Sequence, residues 1–170
     1  MPLAWIGLGS NLDSPEQHIR RAFQELDQLP STKLVQASSL WCSKPLGPQG
    51  QPDYLNAAAC LETQLEPLAL LDQLQALENL HQRVRNQHWG PRTLDLDLLM
   101  YGQLKLDHPR LQIPHPQLHR RTFVLKPLLE LDSNLQLPED GRLDQLLAQL
   151  EQQGDPLQVL PLEATPSSSL

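Results

Sequence analysis

Aromatic side chains are scarce: three Trp, two Tyr and two Phe make up 4% of 170 residues. A sheet that reads RNA stacks bases on exposed aromatics over a basic surface. This composition supplies neither, because 20 Asp and Glu outnumber 13 Lys and Arg, for a formal charge of -7. General binding of nucleic acid is not expected, since it rests on Lys and Arg neutralising phosphates. Cysteine is nearly absent too. Cys42 and Cys60 lie in apolar, strand-like stretches without C-x-x-C spacing, so two free thiols in a reducing cytosol are expected rather than a disulfide. Long apolar runs are missing: no stretch of about 18 uninterrupted apolar residues occurs, and Met1 to Asn11 has no basic leader. A soluble, cytoplasmic protein with no membrane partner is expected.

A chain of this length fits one domain and can bury roughly 70% of its unfolded surface without a metal or disulfide staple. Residues 1–153 read as that domain. From Gly154 onward Pro and Ser take over, and 154–170 reads as a tail too poor in core formers to fold alone. A monomer is expected.

The charge is unevenly spread. Between Arg83 and Lys126 there are eight basic residues (Arg83, Arg85, Arg92, Lys105, Arg110, Arg120, Arg121, Lys126) and three acidic ones (Asp95, Asp97, Asp107), so 8 - 3 = +5. A compact basic island inside an acidic chain suits a nucleotide triphosphate better than a long duplex.

Hydrophobic periodicity orders the elements. Ala4 to Leu8 reads as a buried strand. Ser14-Pro15-Glu16-Gln17 has the pattern of a capping box with Pro at the first helical position, and Ile19, Ala22, Phe23, Leu26 and Leu29 give the helix that follows one apolar face until Pro30. Lys33 to Ser43 and Tyr54 to Leu65 read as strands around a Pro- and Gly-rich loop, Lys44 to Pro52. Pro67 opens a second helix with Leu70, Leu71, Leu74, Leu77 and Leu80 inward and Gln75, Glu78 and Gln82 as a polar stripe. Arg83 to Pro91 reads as a loop. Thr93 to Tyr101 alternates as a strand, with leucines on one face and Asp95 and Asp97 on the other. Strand, helix, strand, strand, helix, strand is the order of an α+β, ferredoxin-like antiparallel sheet with helices packed on it. A small hairpin over Lys105 to Ile113 and C-terminal helices within Pro116 to Leu131 and Leu143 to Gln152 are added. Gly7-Leu8-Gly9-Ser10-Asn11 lacks the full phosphate-loop patterns and reads as a tight strand-end turn.

Chemistry concentrates in Trp89-Gly90-Pro91-Arg92-Thr93-Leu94-Asp95-Leu96-Asp97. Two carboxylates two apart on a strand point the same way and offer Mg²⁺ hard oxygen ligands with room left for water and phosphate. Alone, the pair also fits a solvated edge strand, although Asp is disfavoured in strands. The arginines can stabilise charge on transferring phosphates; taken singly, each also fits a solubilising surface residue. His115, between Pro114 and Pro116, is either a fixed donor or a rigid surface turn. His18, His81, His88, His108 and His119 show no metal-ligand spacing, so no zinc site is expected. Tyr54 and Asn56 share a strand face and suit a flat heterocycle such as a purine or pterin; a core tyrosine with a bonded hydroxyl fits as well.

Together, Gly9-Ser10-Asn11-Leu12, Pro45-Leu46-Gly47-Pro48, Gln51 to Asn56, Arg83-Val84-Arg85, Trp89 to Asp97 and Pro114-His115-Pro116 closely resemble the hydroxymethyldihydropterin pyrophosphokinase family of folate biosynthesis. The resemblance spans about Ala4 to Leu131. It implies a shared cleft in which ATP and a pterin meet across two Mg²⁺ held by Asp95 and Asp97, with attack of the hydroxymethyl oxygen on the β-phosphorus and departure of AMP. It implies pterin contacts from Ser43, Leu46, Tyr54, Asn56 and Phe123. It implies ATP contacts from Gln75, Glu78, Arg85, Leu98, Arg110, His115 and Arg121, with Arg83 and Arg92 as the catalytic loop cations. Two departures stand out: Lys44 replaces a frequent proline, and only Asn86-Gln87-His88 separate Arg85 from Trp89. Two other readings are weighed beside it: a different Mg-dependent nucleotidyl transferase that releases pyrophosphate, and a ferredoxin-like RNA-binding module.

Overall fold

The computed structural model describes residues 2–11, 14–43, 54–82, 93–138, 141–153 and 159–161. The first strand, β1 (Leu3–Ser10), is followed by α1 (Pro15–Asp27), β2 (Thr32–Ala37), β3 (Trp41–Ser43), β4 (Tyr54–Thr63) and α2 (Pro67–Gln82). Next come β5 (Asp95–Tyr101), the hairpin β6 (Leu106–His108) and β7 (Leu111–Ile113), a 3-10 turn at Leu118–Arg120, and α3 (Thr122–Leu131). The two-residue strands β8 (Gln136–Leu137) and β9 (Gly141–Arg142), α4 (Leu143–Gln152) and β10 (Val159–Pro161) complete the described chain.

The main sheet runs β10-β3-β4-β1-β5, with β2 also on β4, and every pair is antiparallel. β1 and β4 are central because both of their faces are apolar. Ala4, Ile6 and Leu8 of β1 join Ala57, Ala59 and Leu61 of β4 under Ile19, Ala22 and Leu26 of α1 and Leu70 and Leu74 of α2. Their alternates Trp5, Ala58 and Cys60 face the other way, against Leu125 and Leu128 of α3 and Leu143, which opens α4. The expected antiparallel α+β sheet is present, and both of its faces carry helices. Of the sheet aromatics, Trp5 is buried at 6% exposure, and Trp41, Tyr54 and Tyr101 are half-buried.

Several local expectations are corrected. The capping box does not form: Ser14 adopts φ 64 and makes no side-chain cap bond, whereas a capping serine needs an extended backbone to turn its hydroxyl onto the first turn. Its carbonyl oxygen accepts from Gln17 and His18 N instead. The single strand expected over Lys33 to Ser43 is two. From Ala37, opposite Ala59, to Trp41, opposite Asn56, one strand advances four residues and the other three, and the extra residue breaks the ladder. Leu80 is not inward; it is 44% exposed, and the next residue, His81, is buried in its place. Gly7 and Gly9 lie inside β1 rather than in a turn. Within residues 154–170, Val159–Pro161 forms β10, which pairs with β3.

Candidate functional site

β5 is the sheet edge that carries the acidic pair. Leu96 and Leu98 enter the α1–α2 core, so alternation turns Asp95 and Asp97 onto the opposite face, where both are half-buried. Across β1, Asp95 stands opposite Gly9 and Asp97 opposite Gly7. These glycines differ. A methyl added at Gly7 would lie 3.2 Å from Leu99 Cδ1, so that position is already covered. At Gly9 the nearest atoms would be Asn56 Oδ1 at 3.6 Å and Leu55 O at 3.9 Å. Asn56, itself opposite Gly9 on β4, therefore reaches over the glycine, with no side chain of β1 between it and Asp95. Trp41 extends the row as the β3 partner of Asn56.

The edge beyond β5 opens into a cavity of about 580 Å³ lined by Leu71, Leu96, Asp97, Leu98, Asp107, His108, Pro109, Arg110, Leu111, Gln112, His115 and Pro116. Four residues expected around ATP and metal, Asp97, Leu98, Arg110 and His115, thus share one wall. Gln75 joins them through Arg110, whose guanidinium donates to Gln75 Oε1 at 3.2 Å and to Asp72 Oδ1. Glu78 Oε2 accepts from Leu96 N at 2.8 Å, which ties α2 to the residue between the two aspartates. Asp107, His108 and Gln112 line the cavity without belonging to any expected set. Their only signal in the sequence is the hairpin that brings Arg110 round.

His115 is fixed by its backbone. Its N donates to Leu99 O at 2.9 Å, and its Nδ1 accepts from Gln117 N at 3.1 Å, which leaves the ring proton on Nε2. Burial lowers its pKa from the usual 6.5; Asp97 works against that and Arg121 adds to it. The neutral imidazole can therefore donate from Nε2 at neutral pH. Arg121 packs over Phe123, with its Cζ 5.7 Å from the ring centroid, so one expected ATP contact and one expected pterin contact touch each other at the start of α3. Tyr54 is half-buried at the head of β4 and pairs with Ser43 through the backbone. Arg83, Arg85, Arg92 and Leu46 lie outside the described residues, as do Lys44, the 86–88 segment and the Ser43 side chain.

Among the described residues no group of three or more His, Cys, Asp or Glu is placed to hold a metal. Two carboxylates beside an open glycine nonetheless fit Mg²⁺, which characteristically takes one or two carboxylates and completes its shell with water and substrate phosphate. Cys42 and Cys60 are free thiols, packed against opposite faces of the sheet. No described helix is long and apolar enough to cross a membrane.

A helix-covered antiparallel sheet with an acidic pair, an arginine and a histidine at one cleft is an arrangement suited to handling nucleotide phosphates. Residues 5–133 match the model of the family described as 7,8-dihydro-6-hydroxymethylpterin-pyrophosphokinase (HPPK). The chain is 50% identical over 149 residues to the 2-amino-4-hydroxy-6-hydroxymethyldihydropteridine pyrophosphokinase of Haemophilus influenzae, covering 88% of this chain and 93% of that protein. The Pseudomonas aeruginosa protein of the same name is 49% identical over 144 residues, covering 85% and 89%. In fold, the chain superposes on a solved HPPK-DHPS in complex with substrates at TM-score 0.70 and 10% identity, covering 91% of this chain and 44% of that one. The chain belongs to the HPPK family.

Proposed function

We propose that the protein transfers a pyrophosphoryl group from ATP to the hydroxymethyl oxygen of 6-hydroxymethyl-7,8-dihydropterin, releasing AMP, in folate biosynthesis. The observation that carries the placement of the two substrates is the row Asn56, Gly9, Asp95 across three neighbouring strands, which joins an amide suited to a pterin edge to a carboxylate suited to a metal. The hydroxymethyl oxygen forms a bond to the β-phosphorus while the bond from that phosphorus to the α–β bridging oxygen breaks. AMP leaves with the bridging oxygen, and the hydroxyl proton passes to solvent.

In this reading Asp95 and Asp97 hold two Mg²⁺, which when bound neutralise charge on the phosphate oxygens. Leu98 and Leu71 offer the adenine an apolar wall. Arg110 releases Asp72 or shares its fork with a phosphate, and Gln75 stays beside it. His115 donates from Nε2 to a phosphate oxygen, and Arg121 adds a fixed positive charge. Arg85 lines the ATP site, and Arg83 and Arg92 meet the phosphates when the cleft closes, excluding water that would otherwise hydrolyse ATP. Glu78 acts from behind, holding Leu96 and so the spacing of the two aspartates. On the other side Tyr54, Asn56 and Phe123, with Ser43 and Leu46, hold the pterin.

Product analysis tests the reading. AMP formed from ATP only when hydroxymethyldihydropterin and Mg²⁺ are both present is the expected result. Release of pyrophosphate would instead indicate a nucleotidyl transferase, and absence of turnover with the pterin would remove the assignment.

A further inference from the structure

Glu130, in the last turn of α3, gathers three donors from the opposite layer. Its Oε2 accepts from Ser39 N at 2.9 Å and Ser39 Oγ at 2.8 Å, and its Oε1 accepts from Trp41 Nε1 at 2.9 Å. Hydrogen bonds to an ionised carboxylate are roughly twice as strong as neutral ones. These three span the place where the ladder is broken between β2 and β3. Trp41 stands opposite Asn56, and residues so paired share a face with Cβ atoms about 4.5–5.5 Å apart. The carboxylate that fixes the indole therefore fixes the neighbour of Asn56. The same helix carries Phe123 in its first turn, seven residues or roughly 10 Å earlier.

The clamp is not what holds α3 to the sheet. Leu125 and Leu128, both at 0% exposure, do that from beneath. β3 is different. It has three residues and leans on β4 and on the three residues of β10, so its position is sensitive to one strong tether.

We propose that Glu130 is a positioning residue for the pterin: by holding the Trp41 indole it fixes the neighbour of Asn56 on the strand face to which the pterin is assigned. This deepens the functional reading above and rests on its assignment of Tyr54, Asn56 and Phe123 to the pterin. The cavity assigned to ATP lies beyond the β5 edge, two strands from β4, so the effect falls on the pterin rather than on ATP.

Steady-state kinetics of the full chain, with each substrate varied in turn, test this. Glu130→Gln raises the KM for the pterin about tenfold, as expected for the loss of a charge-assisted bond. The KM for ATP stays within about twofold, and Tm falls little because the buried leucines remain. Trp41→Phe acts in the same direction. The double variant is no worse than the poorer single one, because Glu130 works through Trp41. Ser39→Ala, which keeps the Trp41 bond, leaves the pterin KM within about twofold. An unchanged pterin KM in Glu130→Gln, a parallel rise in both KM values, or effects of the two single variants that multiply would each overturn the inference. Wild-type protein that turns over while Glu130→Gln is indifferent sinks this inference alone. Wild-type protein that forms no pterin-dependent AMP sinks the functional reading and this inference with it.

Discussion

Gly7 and Gly9 occupy successive positions on one face of β1, and an added methyl meets different neighbours at each. At Gly7 it presses on the fully buried Leu99 at 3.2 Å, so Gly7→Ala should cost about 1 kcal/mol of stability, as overpacking typically does. The readout is a lower urea midpoint at unchanged m. At Gly9 the contacts are ordinary, so Gly9→Ala should fold as well as the wild type, or gain a few tenths of a kcal/mol through a stiffer unfolded chain. It fills the lane between Asn56 and Asp95, and pterin-dependent turnover should fall several-fold. Full activity in Gly9→Ala would remove that lane from the site. Asp97→Ala should lower AMP formation by about 10²-fold or more at saturating Mg²⁺ without loss of Tm, since an acidic side chain beside another acidic one contributes little to folding. Retained Mg²⁺-dependent turnover would contradict the metal assignment. Burial, with Asp132 and Glu62 nearby, pushes the Cys60 thiol up to about 11, so it should resist thiol reagents at pH 8 until the protein is unfolded.

Elements with strong periodicity were legible in the sequence, and those fixed by distant partners were not. β5 is read directly from its alternating Leu and Asp, and α2 begins at the expected Pro67. The break between β2 and β3 has no local signal: Ser38 Oγ accepts from Ala58 N at 2.8 Å, and Glu130 arrives from 91 residues away in sequence. His81 is buried against the helical pattern for the same kind of reason. Its Nε2 meets Glu25 Oε1 at 2.6 Å and its Nδ1 meets His18 Nδ1 at 2.7 Å, a polar contact between α1 and α2 that no hydrophobic count anticipates. With Nε2–H donating to Glu25, one proton must lie between the two Nδ1 atoms. His81→Ala, which empties a buried hydrogen-bonded position, should destabilise the fold by about 1–3 kcal/mol. Glu130 adds a pH signature. Burial works to raise its pKa, but the bonds from Ser39 and Trp41 more than offset that and hold it below the usual 4.5. A carboxyl with a lowered folded pKa stabilises fully above its unfolded value and loses that contribution as pH falls through the folded one. The gap in urea midpoint between wild type and Glu130→Gln, small because the buried leucines remain, should therefore be complete above pH 4.5 and close on acidification.

At the scale of the molecule, the sheet separates two apolar clusters, one under α1 and α2 and one under α3 and α4, and the proposed cleft opens at the β5 edge between Leu71 of α2 and the β6–β7 hairpin. The basic island of the sequence is partly committed: Arg110 to Asp72 and Gln75, Arg121 to Phe123. Those commitments were invisible in charge counting because they depend on α2 and α3 arriving beside β5. A nonhydrolysable ATP analogue with Mg²⁺ should raise Tm, by the equivalent of about 2.7 kcal/mol at a hundred times Kd, and chelation of Mg²⁺ should erase most of that rise while leaving the unliganded Tm unchanged.

β10 gives the whole assembly a further property. By pairing with Val159–Pro161, β3 is kept from being the last strand on its side. A chain cut after Gln153 would present the backbone donors and acceptors of Trp41–Ser43 to solvent as an open template for another chain. Such a truncated protein should self-associate with rising concentration on size exclusion to a greater extent than the full chain.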